Sequence, residues 1–215
     1  MTEELIENKN PPTIKDRVQD FYKKNRVYIF SISFLIIVII ASFIFYVEGK
    51  EKKRILLTDN YIKAKIYLNE DKQHEATKLL KDIVFSDERT YSALALFLIL
   101  DENLIADQQE LTSLFDHILK NNKYEKEIKD LIVLKKALFQ SNFLNEAELL
   151  TITKPLIENN SLWKPHALLL LGDYFVFKKE HLKAKEFYLE ILNTKNLYQE
   201  FYEEARIRLA LIINE

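Results

Sequence analysis

Cysteine is absent from the chain, and its 215 residues include only two glycines and four prolines. Without cysteine there can be no disulfide bond, no thiolate metal ligand and no cysteine nucleophile. Glycine and proline mark tight turns and the ends of strands, so their scarcity argues against a sheet-rich fold. The composition therefore favours an all-helical protein.

A strong excess of one charge is also missing. The chain has 31 lysines and arginines against 33 aspartates and glutamates, which gives a formal net charge of -2. Nucleic-acid binding calls for a marked basic bias, so this class of function is set aside. Carboxylates and lysines instead alternate along the chain, a pattern typical of solvated helix faces.

Sequence signatures of catalysis are missing as well. There is no G-x-S-x-G elbow, no glycine-rich phosphate loop and no H-E-x-x-H motif. The histidines are scattered, with no two of them four residues apart on one helix face. They are His74, His117, His166 and His181. We therefore predict that the chain is not an enzyme and that it has no catalytic, cofactor or metal site and no small-molecule substrate.

The chain does contain an uncharged apolar stretch at residues 27–47, VYIFSISFLIIVIIASFIFYV. As a helix it would be roughly 31 Å long, which matches the ~30 Å hydrocarbon core of a bilayer. Tyr28 and Tyr46 lie near its ends, where tyrosine is common in membrane proteins. A buried core helix is usually shorter, and a cleaved signal peptide has a shorter apolar region. The stretch therefore predicts one transmembrane helix.

Basic residues flank this stretch on both sides, so a simple charge count does not orient it. The positive-inside rule counts short flanks and largely exempts long domains. The short tail of residues 1–26 is therefore predicted to stay in the cytoplasm, with residues 48–215 forming a domain on the other side. In a bacterium the chain would be a single-pass inner-membrane protein with a periplasmic C-terminal domain.

The tail begins with polar residues 1–12, which end in two prolines. From Thr13, a helix cap, apolar residues at helical spacing predict a short amphipathic helix. The apolar positions are Ile14, Val18, Phe21 and Tyr22. This helix would either lie on the lipid surface or simply flank the span. After Val47, charged residues lead into apolar residues at helical spacing, so the span helix is expected to continue into the domain.

The most specific pattern of the domain is the segment LLGDYFVFKKEHLKAKEFYLEIL. Gly172 and Phe175, followed by Ala184 and Tyr188, have the spacing of a tetratricopeptide repeat (TPR), a pair of antiparallel helices of about 34 residues. Two helices cross closely only where the residues at the contact are small. Gly172 is therefore expected to face Ala184, with residues 178–180 as the turn.

Equivalent positions of the first helix recur along the domain at steps close to the ~34 residues of this repeat class. They are Ala64, Ile99, Ala137, Gly172 and Ala210. Their expected partners on the second helices are Ala76 and Leu80, then Leu111 and Phe115, then Leu149 and Leu156. Pro155 is expected to kink the last of these helices or to lie near its end. The pattern predicts a TPR-like α-solenoid of about four hairpins, with residues 198–213 as a capping helix. A plain series of amphipathic helices is the alternative.

The layout as a whole resembles a known family. The chain has a charged tail, one span, a basic segment directly after the span and then degenerate repeats. An asparagine-rich linker with a tryptophan, residues 159–163, lies just before the best-formed repeat. This arrangement is similar to the membrane-anchored TPR-like family of the ancillary SecYEG translocon subunit. The resemblance implies a periplasmic TPR domain near the Sec translocon and periplasmic folding factors. A related domain in a periplasmic coordinator of cell division leaves a second role open.

In such solenoids the first helices line a concave groove. The repeat register places mostly apolar residues there, which would suit an extended chain or a partner helix, unless the groove closes on itself. The predicted groove residues are Tyr61, Lys65, Leu96, Leu100, Leu131, Leu134, Leu138, His166, Leu169, Asp173, Val176 and Phe177. The predicted function is a membrane-anchored protein-binding module, chaperone-like and associated with the translocon. Its partners would be translocon subunits, folding factors or exported proteins. The alternative is an envelope scaffold for cell-wall synthesis or division.

Overall fold

A computed structural model describes residues 14–159 and 161–213. All regular secondary structure in these residues is helical, without a strand, which confirms the all-helical class. The predicted polar segment 1–12 and the cap at Thr13 lie outside the described residues. The chain divides into two compact units, residues 1–56 and 57–215.

Helix α1, Ile14–Asn69, crosses the boundary between the two units. In the first unit it joins the amphipathic tail segment and the apolar stretch without a break. It is long and apolar enough to span a membrane, and none of the residues in its most apolar window is buried. A helix that is apolar on all sides needs an apolar environment around it. The expected continuation of the helix beyond Val47 is confirmed, since α1 runs on to Asn69.

The second unit contains the end of α1 and eight further helices among its described residues. These are α2 (Gln73–Val84), α3 (Arg89–Asp101), α4 (Gln108–Asn121), α5 (Lys126–Gln140), α6 (Glu146–Glu158), α7 (Lys164–Phe177), α8 (His181–Asn193) and α9 (Gln199–Ile213). Helices next to each other in the chain pack against each other from α2 to α9, and α7 also touches α5 and α9.

Three of the turns share one geometry. After α1, α3 and α7, a residue with positive φ is followed by a backbone N–H that reaches back to a carbonyl of the last helical turn. At α7 this is the Glu180 N–H, which donates to the Phe175 carbonyl at 2.8 Å, and Lys179 has φ 61°. Such Schellman turns satisfy carbonyls that a helix end would leave unpaired. The expected turn at residues 178–180 is observed.

These turns agree with the predicted repeat register at Ala64 and Gly172 and correct it in α3. They make Tyr67, Ile99 and Phe175 equivalent, because each accepts the same long-range bond of the turn. The position equivalent to Gly172 is then three residues before Ile99, at the fully buried Leu96. Leu96 and Ile99 lie one turn apart on the same buried face of α3. Helical periodicity alone does not distinguish residues one turn apart.

Two further details of the predicted register are also different in the structure. Ala210 is exposed, and the buried small residue of α9 is Ala205. Gly172 does approach α8 closely, but at Tyr188, one turn beyond Ala184. A Cβ atom at position 172 would lie 2.2 Å from Cε1 of Tyr188. The crossing of α7 and α8 therefore depends on the absence of a side chain at Gly172.

The core of the second unit consists of successive clusters of buried residues. One cluster joins the end of α1 to α5 and includes Leu80, Leu96 and Phe115, all fully buried. A second joins α5 to α9 around Phe175 and Tyr188. Burial of side chains of this size contributes about 1.5–3 kcal/mol each. Because each cluster is built from helices that are near in sequence, the core extends along the chain.

Candidate functional site

Two cavities lie along the line where α3 and α5 face each other. The first is lined by the N-terminal halves of both helices, and the second by their C-terminal halves. They meet at Phe97 and Lys135, where the Lys135 ammonium lies 4.9 Å from the centre of the Phe97 ring. We call this pair of cavities the α3/α5 groove.

The first cavity has a volume of about 390 Å³ and a mostly apolar wall. Leu94 of α3 and Ile128 of α5 are 41% and 44% exposed, although both are large and apolar. Leu131 and Ala93 complete the apolar wall. Large apolar side chains that remain in contact with water around one cavity are typical of a binding surface.

Tyr124, in the loop before α5, also lines the first cavity. Its hydroxyl is buried and has no hydrogen-bond partner within residues 14–159 and 161–213. Burial, and to a smaller extent the negative charge of Glu88, raises the pKa of Tyr124 to about 12. A buried polar group without a partner costs about 1–3 kcal/mol, so such groups are rare without a reason.

The second cavity is larger, about 570 Å³, and lies at the ends of α3 and α5 and the beginning of α4. Leu100 and Leu138 face it, with Phe139 behind them. Lys135 is the cationic residue of its wall, and its ammonium lies 3.6 Å from an Asp101 carboxylate oxygen. The charge at this end of the groove is therefore partly neutralised.

The rim of the first cavity carries two opposite charges. Arg89 lies on α3 at the beginning of the groove, and Glu125 is the residue before α5. Neither side chain forms an ion pair with another residue of the described part of the chain. Each side of the groove thus offers a charge of a different sign to a partner.

The structure brings part of the predicted groove together. Leu100 and Leu138 line the second cavity, and Leu131 lines the first. Leu96 and Leu134, by contrast, are buried in the core, at 0% and 3% exposure. The prediction that these two residues face a groove is wrong. They lie on the side of their helices that packs inward, and for Leu96 the turn after α3 shows that the predicted register was displaced by one turn.

Tyr61 and Lys65 of α1 lie outside both cavities. Tyr61 is half-buried and packs against Tyr91 of α3, with ring centres 6.1 Å apart. Burial raises the pKa of Tyr61, and the negative charge of Asp101 adds to the shift. Lys65 is exposed. These residues contribute to the packing of α1 on α3 and to its surface.

The predicted residues of α7 form a separate group. His166 lies between the rings of Trp163 and Phe201, at 5.3 Å and 4.9 Å. Partial burial lowers the pKa of His166, and the negative charge of Glu200 opposes this shift. Leu169 and Val176 are half-buried in the core of α5 to α9.

Asp173 and Phe177 have different surroundings. One Asp173 oxygen accepts hydrogen bonds from the Tyr188 hydroxyl at 2.7 Å and from Nε of Arg208 at 2.8 Å. Asp173 therefore connects α7 with α8 and α9. Phe177 is 78% exposed and contacts the ammonium of its neighbour Lys178.

Sequence reasoning missed Leu94, Phe97, Tyr124 and Ile128. The signal for the first two was present, since α3 has the sequence RTYSALALFLILD and is apolar on nearly all sides. A helix of this kind in a polar protein must contact neighbours on more than one face. Tyr124 and Ile128 depend on how α5 packs beside α3, which no local pattern reveals.

Comparisons with known proteins provide no relative from which to transfer a site. No family model, no curated protein and no solved structure matches the chain. The interpretation of the α3/α5 groove therefore depends on its own geometry and chemistry.

Proposed function

We propose that the chain is a membrane-anchored protein-binding module that takes its partners in the α3/α5 groove. The observation that carries the proposal is this groove, where Leu94 and Ile128 remain exposed around an apolar cavity. The apolar part of α1 supports the anchor, because it is long enough to span a membrane. The helices of the second unit would form a TPR-like solenoid, which the packing between neighbouring helices supports.

The module acts on exported proteins near the Sec translocon, as a chaperone-like docking site in the periplasm. The resemblance of the sequence layout to the ancillary translocon subunit family supports this choice. Anchoring by one span confines a weak groove to the membrane surface where such proteins emerge. Confinement raises the effective concentration of the groove, so modest affinity is sufficient.

A second candidate function is an envelope scaffold that binds one folded partner in cell-wall synthesis or cell division. The opposite charges of Arg89 and Glu125 at the rim favour this alternative, because neither is paired within the described residues. Charges placed across an interface mainly select the correct partner and its orientation. A general chaperone has less use for such selection.

The two functions differ in what crosslinks to the groove in cells. A photo-reactive amino acid replaces Leu94, and one at the exposed Lys185 of α8 serves as the matched control. Crosslinks from position 94 to translocon subunits or to many exported proteins would support the chaperone. A single dominant envelope protein would support the scaffold. If position 94 gives no more crosslinks than position 185, the groove is not a protein-binding site.

The anchor and its orientation are tested separately. Since the chain has no cysteine, a maleimide labels each single-cysteine variant at the introduced thiol alone. Lys23→Cys and Lys195→Cys lie on the two sides of the apolar stretch. In intact spheroplasts, a membrane-impermeant maleimide should label position 195 and not position 23. Labelling of both, or of position 23 alone, would contradict the proposed topology.

A further inference from the structure

We infer that the occupant of the α3/α5 groove is an amphipathic helix of the partner, with two large apolar side chains seven positions apart. This inference rests on the proposed function and names the chemistry of the partner. Three features of the groove support it: the nature of its walls, the spacing of the residues that line its cavities and the charges on its rim.

The walls of the groove are helices, and this limits what can be buried between them. The backbone N–H and C=O groups inside α3 and α5 are already used by the helices themselves. An extended chain in the groove would bury N–H and C=O groups that find no partner there. Each such group costs about 1–3 kcal/mol. The interior of a helix brings no unpaired groups, because its backbone bonds are internal.

The distance between the two cavities fits a helix. Ala93 lines the first cavity and Leu100 the second, seven positions further along α3. The pair Leu131 and Leu138 has the same separation on α5. Seven positions of a helix correspond to roughly 10.5 Å. A partner helix that follows the groove therefore fills both cavities with side chains at i and i+7, which lie on the same face.

An extended chain does not have this repeat. Its side chains on one face lie about 6.6 Å or about 13 Å apart, two or four residues along the chain. Neither distance equals the roughly 10.5 Å between wall residues seven positions apart. The partner helix instead places its apolar pair into the two cavities, with small residues between them above Phe97 and Lys135, whose ring and ammonium lie 4.9 Å apart.

The charges on the rim define the flanks of the partner helix. Arg89 is on the α3 side and Glu125 on the α5 side of the first cavity. A helix with an acidic residue toward Arg89 and a basic residue toward Glu125 meets both with the opposite charge. Complementary charges at a rim fix the direction of a helix in its groove.

The test uses designed peptides and the full chain in lipid nanodiscs. The helical probe is an alanine-rich peptide of about 18 residues with two leucines seven positions apart and flanking acidic and basic residues. A control peptide has the same composition with the leucines five positions apart, on different faces. A third, proline-containing peptide is extended and has leucines four positions apart. Binding is measured by fluorescence anisotropy of the labelled peptides.

The expected result is that the helical probe binds at least tenfold more tightly than either control. Leu94→Lys and Ile128→Lys should each abolish this binding. Leu182→Lys is the matched control, because Leu182 is 82% exposed on α8 and lies outside the groove. The Leu182→Lys variant should bind the helical probe as tightly as the unchanged chain does. Arg89→Glu should weaken binding of the helical probe, and a lysine in place of the acidic peptide residue should restore it.

Failure of this inference differs from failure of the proposed function. Equal binding of the extended peptide, or of both leucine spacings, would overturn the helix and leave crosslinking at position 94 unaffected. If the helical probe does not bind although position 94 crosslinks to proteins in cells, the inference is likewise overturned and the proposed function is not. Binding of the helical probe that survives Leu94→Lys would place it elsewhere and also overturn the inference. Absence of crosslinks at position 94 would instead overturn the function.

Discussion

The region of α7 to α9 and the region of α3 and α5 use the same kind of helix but are packed differently. Helices α7 and α8 have the most extensive backbone contact of any described pair. Gly172 allows this contact, and Asp173 binds Tyr188 and Arg208 at its edge. Between α3 and α5, two cavities remain.

Helices α7 and α3 also differ at one equivalent position, which in α7 allows the close approach to α8. Where α7 has Gly172, α3 has the fully buried Leu96. The distance between packed helices increases with the side chains at their contact. In the close pair, the Tyr188 hydroxyl donates to Asp173, whereas the Tyr124 hydroxyl beside the groove has no partner among the described residues. We therefore expect substitutions to affect stability in the first region and binding in the second.

The largest effect is expected at Gly172. Gly172→Leu places a side chain into the ring of Tyr188, which is fully buried and held by Asp173. The helices must separate, which should cost about 4 kcal/mol or more. Urea unfolding of the full chain in detergent measures this through the fluorescence of Trp163, the single tryptophan, which lies in the second unit.

Gly49 provides the matched control for this substitution. It lies inside α1, and a Cβ atom there would meet nothing within 4 Å. Gly49→Ala should leave the Trp163 unfolding transition unchanged. Equal unfolding midpoints for Gly172→Leu and the unchanged chain would contradict the close crossing of α7 and α8.

The next largest effect on stability is expected when two leucines of α3 are replaced by alanine and compared. Leu96→Ala removes a fully buried side chain and should cost about 3 kcal/mol, through lost burial and the cavity that remains. Leu94→Ala removes a side chain that is 41% exposed at the groove and should cost less than about 1 kcal/mol. The same urea titration checks both. A larger loss for Leu94→Ala would show that its side chain belongs to the core.

Two tyrosines provide a smaller contrast. Tyr188→Phe removes a hydrogen bond to a carboxylate and should destabilise the second unit by about 1.5–3 kcal/mol. Tyr124→Phe removes a buried hydroxyl that has no partner in the described residues, so stability should be unchanged or slightly higher. Matched urea titrations at neutral pH distinguish them. A clear loss for Tyr124→Phe would show that its hydroxyl is bonded in the protein.

The smallest effect is on the pH dependence. The pKa of Tyr124 is raised from 10.0 to about 12, so the folded protein retains this proton where the unfolded chain releases it. The contribution of Tyr124 to stability is therefore unchanged below about pH 10 and falls as pH rises toward 12. Tyr124→Phe should reduce this fall, measured by urea midpoints between about pH 9 and 11. An identical fall in the variant would mean that other groups cause it.

Much of the fold could be predicted from the sequence. The scarcity of glycine and proline indicated the helical class, and the length of the apolar stretch indicated a helix that is able to span a membrane. The turn at residues 178–180 followed from its repeat pattern. These features depend on local sequence, so the chain itself contains the information.

The groove was predicted only in part, for physical reasons. Leu100 and Leu138 were identified from helical periodicity, but the same periodicity also selected Leu96, which faces the core. Residues one turn apart share a face, and only tertiary packing decides which of them is covered. Leu94 and Ile128 come from helices that are not consecutive in the chain, so their joint exposure depends on the distance between α3 and α5.

The most direct test of the groove as a binding site is crosslinking in cells from a photo-reactive residue at position 128. It is carried out in the chain that is otherwise unchanged and in chains that also carry Leu94→Lys or Leu182→Lys, with the fluorescence of Trp163 confirming that each purified variant is folded. We predict that Leu94→Lys loses the crosslinked proteins and that Leu182→Lys retains them. Crosslinked proteins that persist in a folded Leu94→Lys variant would contradict binding in the α3/α5 groove.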